Sequence, residues 1–299
     1  MNKQRILIVS GTHGNEINPI YAAQKFNNLK MLNSVNKTVK YILGNPEAVS
    51  NGQRYIDIDL NRSFRFDESQ SSKNHYEVKR AFQLFEEYGP KGLNPFQVAI
   101  DLHTTTSCMG TSVVVYGRRQ KDLCLAAILQ DKFGLPVYLH EKDSNQTGFL
   151  VEAWPCGLVI EIGPVAQNHY DPIIVKRFLI ILDYLESLVD EIKSSKVKLP
   201  REIKIFTHKY SIDYPKDENN IINGLIHPLR LNQDWNPVKH GDPLFLNIHG
   251  ETLVYLGEEE LYPVFIGEAA YREKNIAMSF TRKEIIKCSN EWIMNLLDF

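Results

Sequence analysis

The sequence predicts an α/β protein: a mixed sheet flanked by helices, followed by a smaller β-rich C-terminal domain. Three observations carry this. Runs such as RILIVS, QVAIDLH and GLVIEIG are almost wholly apolar, as strands covered on both faces must be. Between them lie segments with apolar residues at helical spacing, the alternation of an α/β sheet. Near residue 200 the texture changes to frequent prolines and short strand-like runs. The expected division is residues 1–200 and 201–299.

RILIVS reads as the first strand and leads into the turn GTHGNE. NPIYAAQKFNNL reads as a helix, with Asn18 suited to its N-cap and Pro19 to its first turn. VKYILGN (39–45) is a second strand, closed by Asn45-Pro46. Residues 46–73 read as irregular and hold RYIDIDLNRSF. Apolar residues at 78, 81, 82, 85 and 88 predict a helix over 76–89, stopped by Gly89-Pro90. Strands follow at 97–103 and 111–117, a helix at 121–134, and strands at 136–141 and 157–163. DPIIVKRFLIILDYLESLVDEIKSS carries apolar positions at helical period and predicts a long amphipathic helix. Beyond residue 200, LFLNI, TLVYLG and YPVFIG read as short strands and KEIIKCSNEWIMNLL as a helical tail.

Composition excludes several classes. The chain is 43% hydrophobic and 23% charged, ordinary for a globular protein able to bury a sizeable core. A formal net charge of −2 supplies no field to recruit nucleic acid or an anionic membrane. No apolar run approaches the roughly 20 residues of a spanning helix. The apolar stretch between Arg5 and Gly11 is too short for a signal-peptide core. Cys108, Cys124, Cys156 and Cys288 form no CxxC pair, so the expectation is reduced thiols in a cytoplasm.

Chemistry is expected at the carboxyl ends of the strands. His13 and Glu16 lie just past the first strand, and His103 ends VAIDLH. Two histidines and one carboxylate are the protein ligands of a catalytic zinc site with an open fourth position. An HxxE pair alone is weak evidence, and a solvated turn histidine is its ordinary explanation. Here the pair sits in a glycine-flanked turn after a strand, with a third candidate ligand at another strand end. Asp101 is a candidate outer partner of His103. Glu161, flanked by Ile160 and Ile162, is costly to bury unpaired. It is either half of a structural ion pair or a general base. Arg54, Asn61 and Arg62 offer groups for a carboxylate or an oxyanion, although Asp57 and Asp59 could simply pair with the arginines. No G-x-S-x-G elbow is present, and Cys108 near His103 is weak evidence for a thiol nucleophile.

GTHGNE, RYIDIDLNRSF, DLHTTTSCMG and IEIGP, in this order, resemble the aspartoacylase family, a branch of the zinc carboxypeptidase-like hydrolases that includes succinylglutamate desuccinylase. The likeness continues through DYPKDEN, QDWNPVKHGDPLF and YPVFIGEAAYREK, and so spans nearly the whole chain. It implies a zinc carboxypeptidase-like fold and one Zn2+ per chain held by His13, Glu16 and His103. It implies Glu161 as general base and acid, and Arg54 as the group that polarises the scissile carbonyl. It also implies that Asn61 and Arg62 bind the substrate carboxylate and that Tyr271, with Glu268 nearby, closes over it from a C-terminal domain that restricts access. The implied partner is a small N-acyl amino acid, cleaved to a carboxylate and L-aspartate, and the implied assembly is a homo-oligomer.

The sequence departs from the pattern at one place. Aligned on Pro155, Asn145 and Phe149 stand where family members acting on N-acetylaspartate carry a tyrosine and an arginine. Phe149 makes an aminoacylase acting on N-acetyl aromatic or other N-acyl amino acids the alternative. A non-catalytic binding protein on the same scaffold is a further one, against which Glu161 argues, since a binding module needs no acid/base there.

Overall fold

The computed structural model describes residues 6–31, 39–66, 74–141, 143, 146–194 and 196–297. The first two-thirds of the chain run β1 (Ile6–Ser10), α1 (Ile17–Met31), β2 (Val39–Leu43), α2 (Pro46–Asn51), α3 (Tyr76–Tyr88), β3 (Val98–Thr104), β4 (Thr111–Tyr116), α4 (Gln120–Phe133), β5 (Val137–His140), β6 (Cys156–Ile162) and α5 (Pro172–Lys193). The remainder runs β7 (Glu202–Asp213), β8 (Gly224–Ile226), β9 (Pro243–Asn247), β10 (Thr252–Val254), β11 (Tyr262–Val264), β12 (Ile276–Lys287) and α6 (Asn290–Leu297).

A nine-stranded mixed sheet has the order β11-β12-β7-β5-β4-β6-β3-β1-β2. Every residue of β1 and β6 is buried. Strand alternation sends their side chains into two different cores. Ile6, Ile8, Ile100, Leu158 and Ile160 face one core, with Phe26 of α1, Leu129 of α4 and Phe178 of α5. Leu7, Val9, Ala99 and Val159 face the other, with Leu84 of α3, Phe96 and Trp154. Two covered faces explain why these strands carry no polar alternation.

β1, β3 and β6 run parallel, so their carboxyl ends share one edge. In that register His103 lies beside Glu161 on the neighbouring strand. β4 runs antiparallel to β6, which makes the sheet mixed.

Three expectations are corrected. Residues 46–73, of which 67–73 lie outside the described residues, are not uniformly irregular: α2 forms within them, and Leu60–Arg62 make one 3-10 turn. Asn45 caps α2 by accepting from Ala48 N at 3.1 Å, Pro46 fits its first turn, and Gly52 ends it with φ 63°. Six residues are too few for periodicity to reveal. Asn18 does not cap α1. Its amide donates to the His169 carbonyl at 2.8 Å and accepts from Asp171 N at 2.8 Å, bracing the start of α5. Residues 283–287 are not helical: they end β12, paired with β7 from Phe206 back to Glu202, and only 290–297 form a helix. Cross-strand pairing overrode a local helical pattern there.

The β-rich C-terminal part contributes to two sheets. β7 pairs with β5, so β7, β12 and β11 extend the central sheet. β8, β9 and β10 form a three-stranded sheet of their own. A third core, including Ile226, Phe245, Leu261, Met278 and Phe280, joins the two. Among the described residues, no helix is long and apolar enough to cross a membrane.

Candidate active site

His13 and Glu16 lie in the turn between β1 and α1, and His103 is the penultimate residue of β3. All three are buried, and one ligand atom from each lies within 4.8 Å of the others. His13 Nδ1 is 2.7 Å from Glu16 Oε1, and His103 Nδ1 is 3.0 Å from Glu16 Oε2. The backbone N–H of Thr104 donates to Glu16 Oε2 at 2.9 Å, fixing the carboxylate.

Each imidazole is backed by a carboxylate on its far nitrogen. His103 Nε2 is 2.7 Å from Asp101 Oδ2, and Asp101 in turn accepts from the Thr12 hydroxyl at 2.7 Å. His13 Nε2 is 2.9 Å from Asp59 Oδ1. Asp101 is the outer partner expected from sequence; Asp59 is one that sequence reasoning missed. Asp59 also meets Arg54 Nη2 at 3.3 Å, the pairing the sequence offered as an alternative. Asp57 instead accepts from Tyr76 N at the start of α3.

The electrostatics follow. Burial works against charge on Glu16, but the His13 and His103 rings outweigh it and hold the carboxyl well below the usual range. Burial pushes the His103 imidazole down, yet Asp101 and Glu16 together raise it well above its ordinary value. Two imidazole nitrogens and a carboxylate converge on one point, with a carboxylate behind each ring. That donor set fits a divalent ion, whose binding releases the protons these groups share. His13, Glu16 and His103 can therefore hold a metal ion.

The turn depends on Gly14. Its N–H donates to the Arg54 carbonyl at 3.2 Å, and a Cβ there would lie 2.1 Å from the Ala48 carbonyl carbon of α2. Rigid backbone cannot give way as a flexible side chain would. Gly14→Ala is expected to cost about 1–3 kcal/mol or more and to weaken metal retention. Thermal melting and metal analysis of the purified variant check both.

The other expected residues line the same cavity, of about 70 Å³: Arg54, Asn61, Arg62, Glu161 and Tyr271, beside the three ligand candidates. Arg54 Nη1 lies 3.3 Å from Glu16 Oε1. Asn61 accepts from Leu150 N at 2.8 Å, and its amide nitrogen is 3.5 Å from His103 Nε2. Arg62 donates to the Asn61 carbonyl at 2.7 Å and to Gln146 Oε1 at 3.1 Å. Burial raises the Glu161 carboxyl well above the usual range; Glu16 and Glu268 add to this, while His103 and Arg54 oppose it. Asn145 lies outside the described residues.

Profiles of known families match nearly the whole chain. That of the succinylglutamate desuccinylase/aspartoacylase catalytic domain matches residues 2–188, and that of the AstE/AspA barrel-sandwich hybrid domain matches residues 201–283. The chain belongs to the succinylglutamate desuccinylase/aspartoacylase family. Relatives named probable aspartoacylase include one from Prochlorococcus marinus strain AS9601, 56% identical over 99% of each chain. Another, from strain NATL2A, is 47% identical over 100% of this chain and 98% of its own. Murine aminoacylase 3 superposes with a TM-score of 0.86 at 29% identity, covering 96% of this chain and 98% of that one. Succinylglutamate desuccinylase from Chromobacterium violaceum shares the fold, with a TM-score of 0.63 at 18% identity over 95% and 85% of the two chains. The family assignment makes the chain an acylase-type hydrolase by kinship.

In this member of the succinylglutamate desuccinylase/aspartoacylase family, the C-terminal segment reaches the cavity through Glu268 and Tyr271. The Glu268 carboxylate accepts from Thr106 N at 2.9 Å and from the hydroxyls of Thr105, Thr106 and Ser107, tying the segment to the loop after β3. Tyr271 packs on Phe265, ring centroids 5.6 Å apart. Sequence reasoning did not single out Tyr116, Tyr138, His140 and Gln146, which also line the cavity. His140 was findable, because it ends β5 as His103 nearly ends β3.

Proposed function

We propose that the chain is a zinc-dependent amidohydrolase that cleaves N-acyl-L-aspartate to a carboxylate and L-aspartate. The observation that carries this is the convergence of His13, Glu16 and His103 beside Glu161 on the adjoining strand. The relatives named probable aspartoacylase support the aspartyl substrate.

His13, Glu16 and His103 would hold the zinc, which supplies the Lewis acidity that makes water nucleophilic at neutral pH. Glu161 takes the proton from the attacking water as the new C–O bond forms, then delivers it to the amine as the C–N bond breaks. The raised affinity of its buried carboxyl for a proton makes it a stronger base for the first of these roles and lets it hold the proton until the second. Arg54 faces the oxyanion that develops on the former carbonyl. Asn61 and Arg62 bind the α-carboxylate, and Tyr271 covers the substrate.

The lining bears on the substrate: the guanidinium groups of Arg54 and Arg62 both face the cavity and suit an anionic acyl amino acid. The likeness to murine aminoacylase 3 favours the alternative, an aminoacylase, for which Phe149 makes an N-acetyl aromatic amino acid the substrate to try. Amino-acid release from N-acetyl-L-aspartate, N-acetyl-L-tyrosine and N-succinyl-L-glutamate, with and without a chelator, decides between them. Chelator-sensitive release from N-acetyl-L-aspartate is expected. Preference for the tyrosine substrate would establish the alternative, and no release from any of the three would refute both.

Arg54→Ala is expected to lower kcat by about 10²–10³-fold with little change in KM, as the loss of one oxyanion donor does. Steady-state kinetics alongside zinc analysis separate this from loss of the metal.

A further inference from the structure

On the wall of the cavity is a hydrogen-bonded array that the mechanism above does not use. His140 is buried, and its Nδ1 lies 3.1 Å from the Tyr138 hydroxyl. The same hydroxyl lies 2.9 Å from Nδ1 of His208 on β7. A tyrosine hydroxyl has one proton, so it donates to one imidazole and must accept from the other. Two neutral rings sharing it therefore carry opposite tautomers. Both rings are neutral at neutral pH: burial first, then His208, push His140 down to about 4 against Asp143, and burial lowers His208 likewise.

The tautomer follows from what lies beyond. His140 Nε2 is 3.9 Å from Asp143 Oδ2, too far for a hydrogen bond but close enough for the carboxylate to favour a proton on Nε2. Tyr138 then donates to His140, and His208 donates to Tyr138. The Gln146 backbone also favours a proton on the His140 ring, but among the described residues His140 Nε2 has no partner at ordinary hydrogen-bond length, and neither does Arg62 Nε. Both side chains line the cavity. A buried donor left unmet by the protein is met by whatever fills the cavity, water in the free protein and an acceptor of the substrate in the complex.

Phe149 does not compete for that acceptor's place. Tyr116 stacks on its ring with centroids 3.8 Å apart, and the Arg62 guanidinium sits 3.9 Å from its centroid. Two groups that close cannot share one face, so both faces are covered. His140 meets it edge-on at 5.6 Å. The phenylalanine is the seat of Arg62 rather than an open wall for an aromatic side chain.

We propose that His140 is a specificity-determining residue, its Nε2–H donating to the side-chain carboxylate of the bound acyl amino acid, with Tyr138 and His208 as positioning residues that set its tautomer. This rests on the cavity being the acyl-amino-acid site proposed above. The test compares kcat/KM for N-acetyl-L-aspartate and N-acetyl-L-alanine in the zinc-loaded wild type and in His140→Leu. The preference for aspartate is expected to fall about tenfold or more, through KM, with the alanine substrate little affected. Equal losses on both substrates, or an unchanged preference, would overturn the proposal. Tyr138→Phe, which keeps the ring but frees the tautomer, is expected to lower the preference less. Nitrogen-15 imidazole spectra of that variant should show His140 no longer confined to the Nε2–H form; an unaltered spectrum removes Tyr138 from the positioning role. Calorimetric binding of L-aspartate and L-alanine needs no turnover, and so separates this proposal from the hydrolytic reading. If the wild type hydrolyses nothing yet binds aspartate over alanine, and His140→Leu erases the difference, hydrolysis fails and the specificity role stands. If the wild type does not discriminate between the two, the specificity role fails.

Discussion

Glu161→Gln is expected to lower kcat by about 10²–10⁴-fold, the span that one positioned acid/base contributes. The amide has nearly the shape of the carboxyl but acts as neither acid nor base near neutral pH. Glu161 is buried in β6, whose seven residues are all covered, so an isosteric neutral side chain should leave the strand and its register with β3 in place. Removing a carboxyl that burial already disfavours as an anion should also leave thermal stability unchanged or slightly raised. The decisive comparison is turnover against zinc content in the same preparation. Near wild-type turnover would remove Glu161 from the proton path, whereas loss of both turnover and zinc would make its role structural.

His103→Ala is expected to abolish metal retention and, with it, activity. It removes one of the three side chains that converge on the site and leaves Asp101, fully buried, facing a void. Leaving one partner of a buried pair uncompensated costs about 3–5 kcal/mol, so melting should fall as well. Asp101→Asn is the gentler companion: it keeps the ligand but weakens its backing, and metal affinity should fall about 10–100-fold. Metal analysis after exhaustive dialysis reads both variants. One zinc per chain in purified His103→Ala would rule that histidine out as a ligand.

How far the site could be read in advance depended on the length scale of its parts. His13 and Glu16 were legible because three residues in a single turn fix their proximity. His103 was legible because strand ends in an α/β sheet meet at one edge, and the parallel register of β1, β3 and β6 does bring them together. Asp59 was not, because its approach to His13 depends on how the irregular chain after α2 folds back over the turn. Glu268 and Tyr271 entered only through the family likeness. Nothing local to EAAY indicates that it will dock on the loop after β3.

The sequence by itself determined the layered architecture, since strands buried on both faces and helices with one apolar stripe allow few other arrangements. It also determined which residue types could form a metal site, because ligand chemistry belongs to side chains. Tertiary structure alone decided that β12 continues as a strand through Lys287, since the gain comes from pairing with β7. It alone decided that Phe149 is closed on both faces, and that one tyrosine hydroxyl joins His140 to His208. Such outcomes depend on distances between residues far apart in the chain, and those are set by the packing of the whole core.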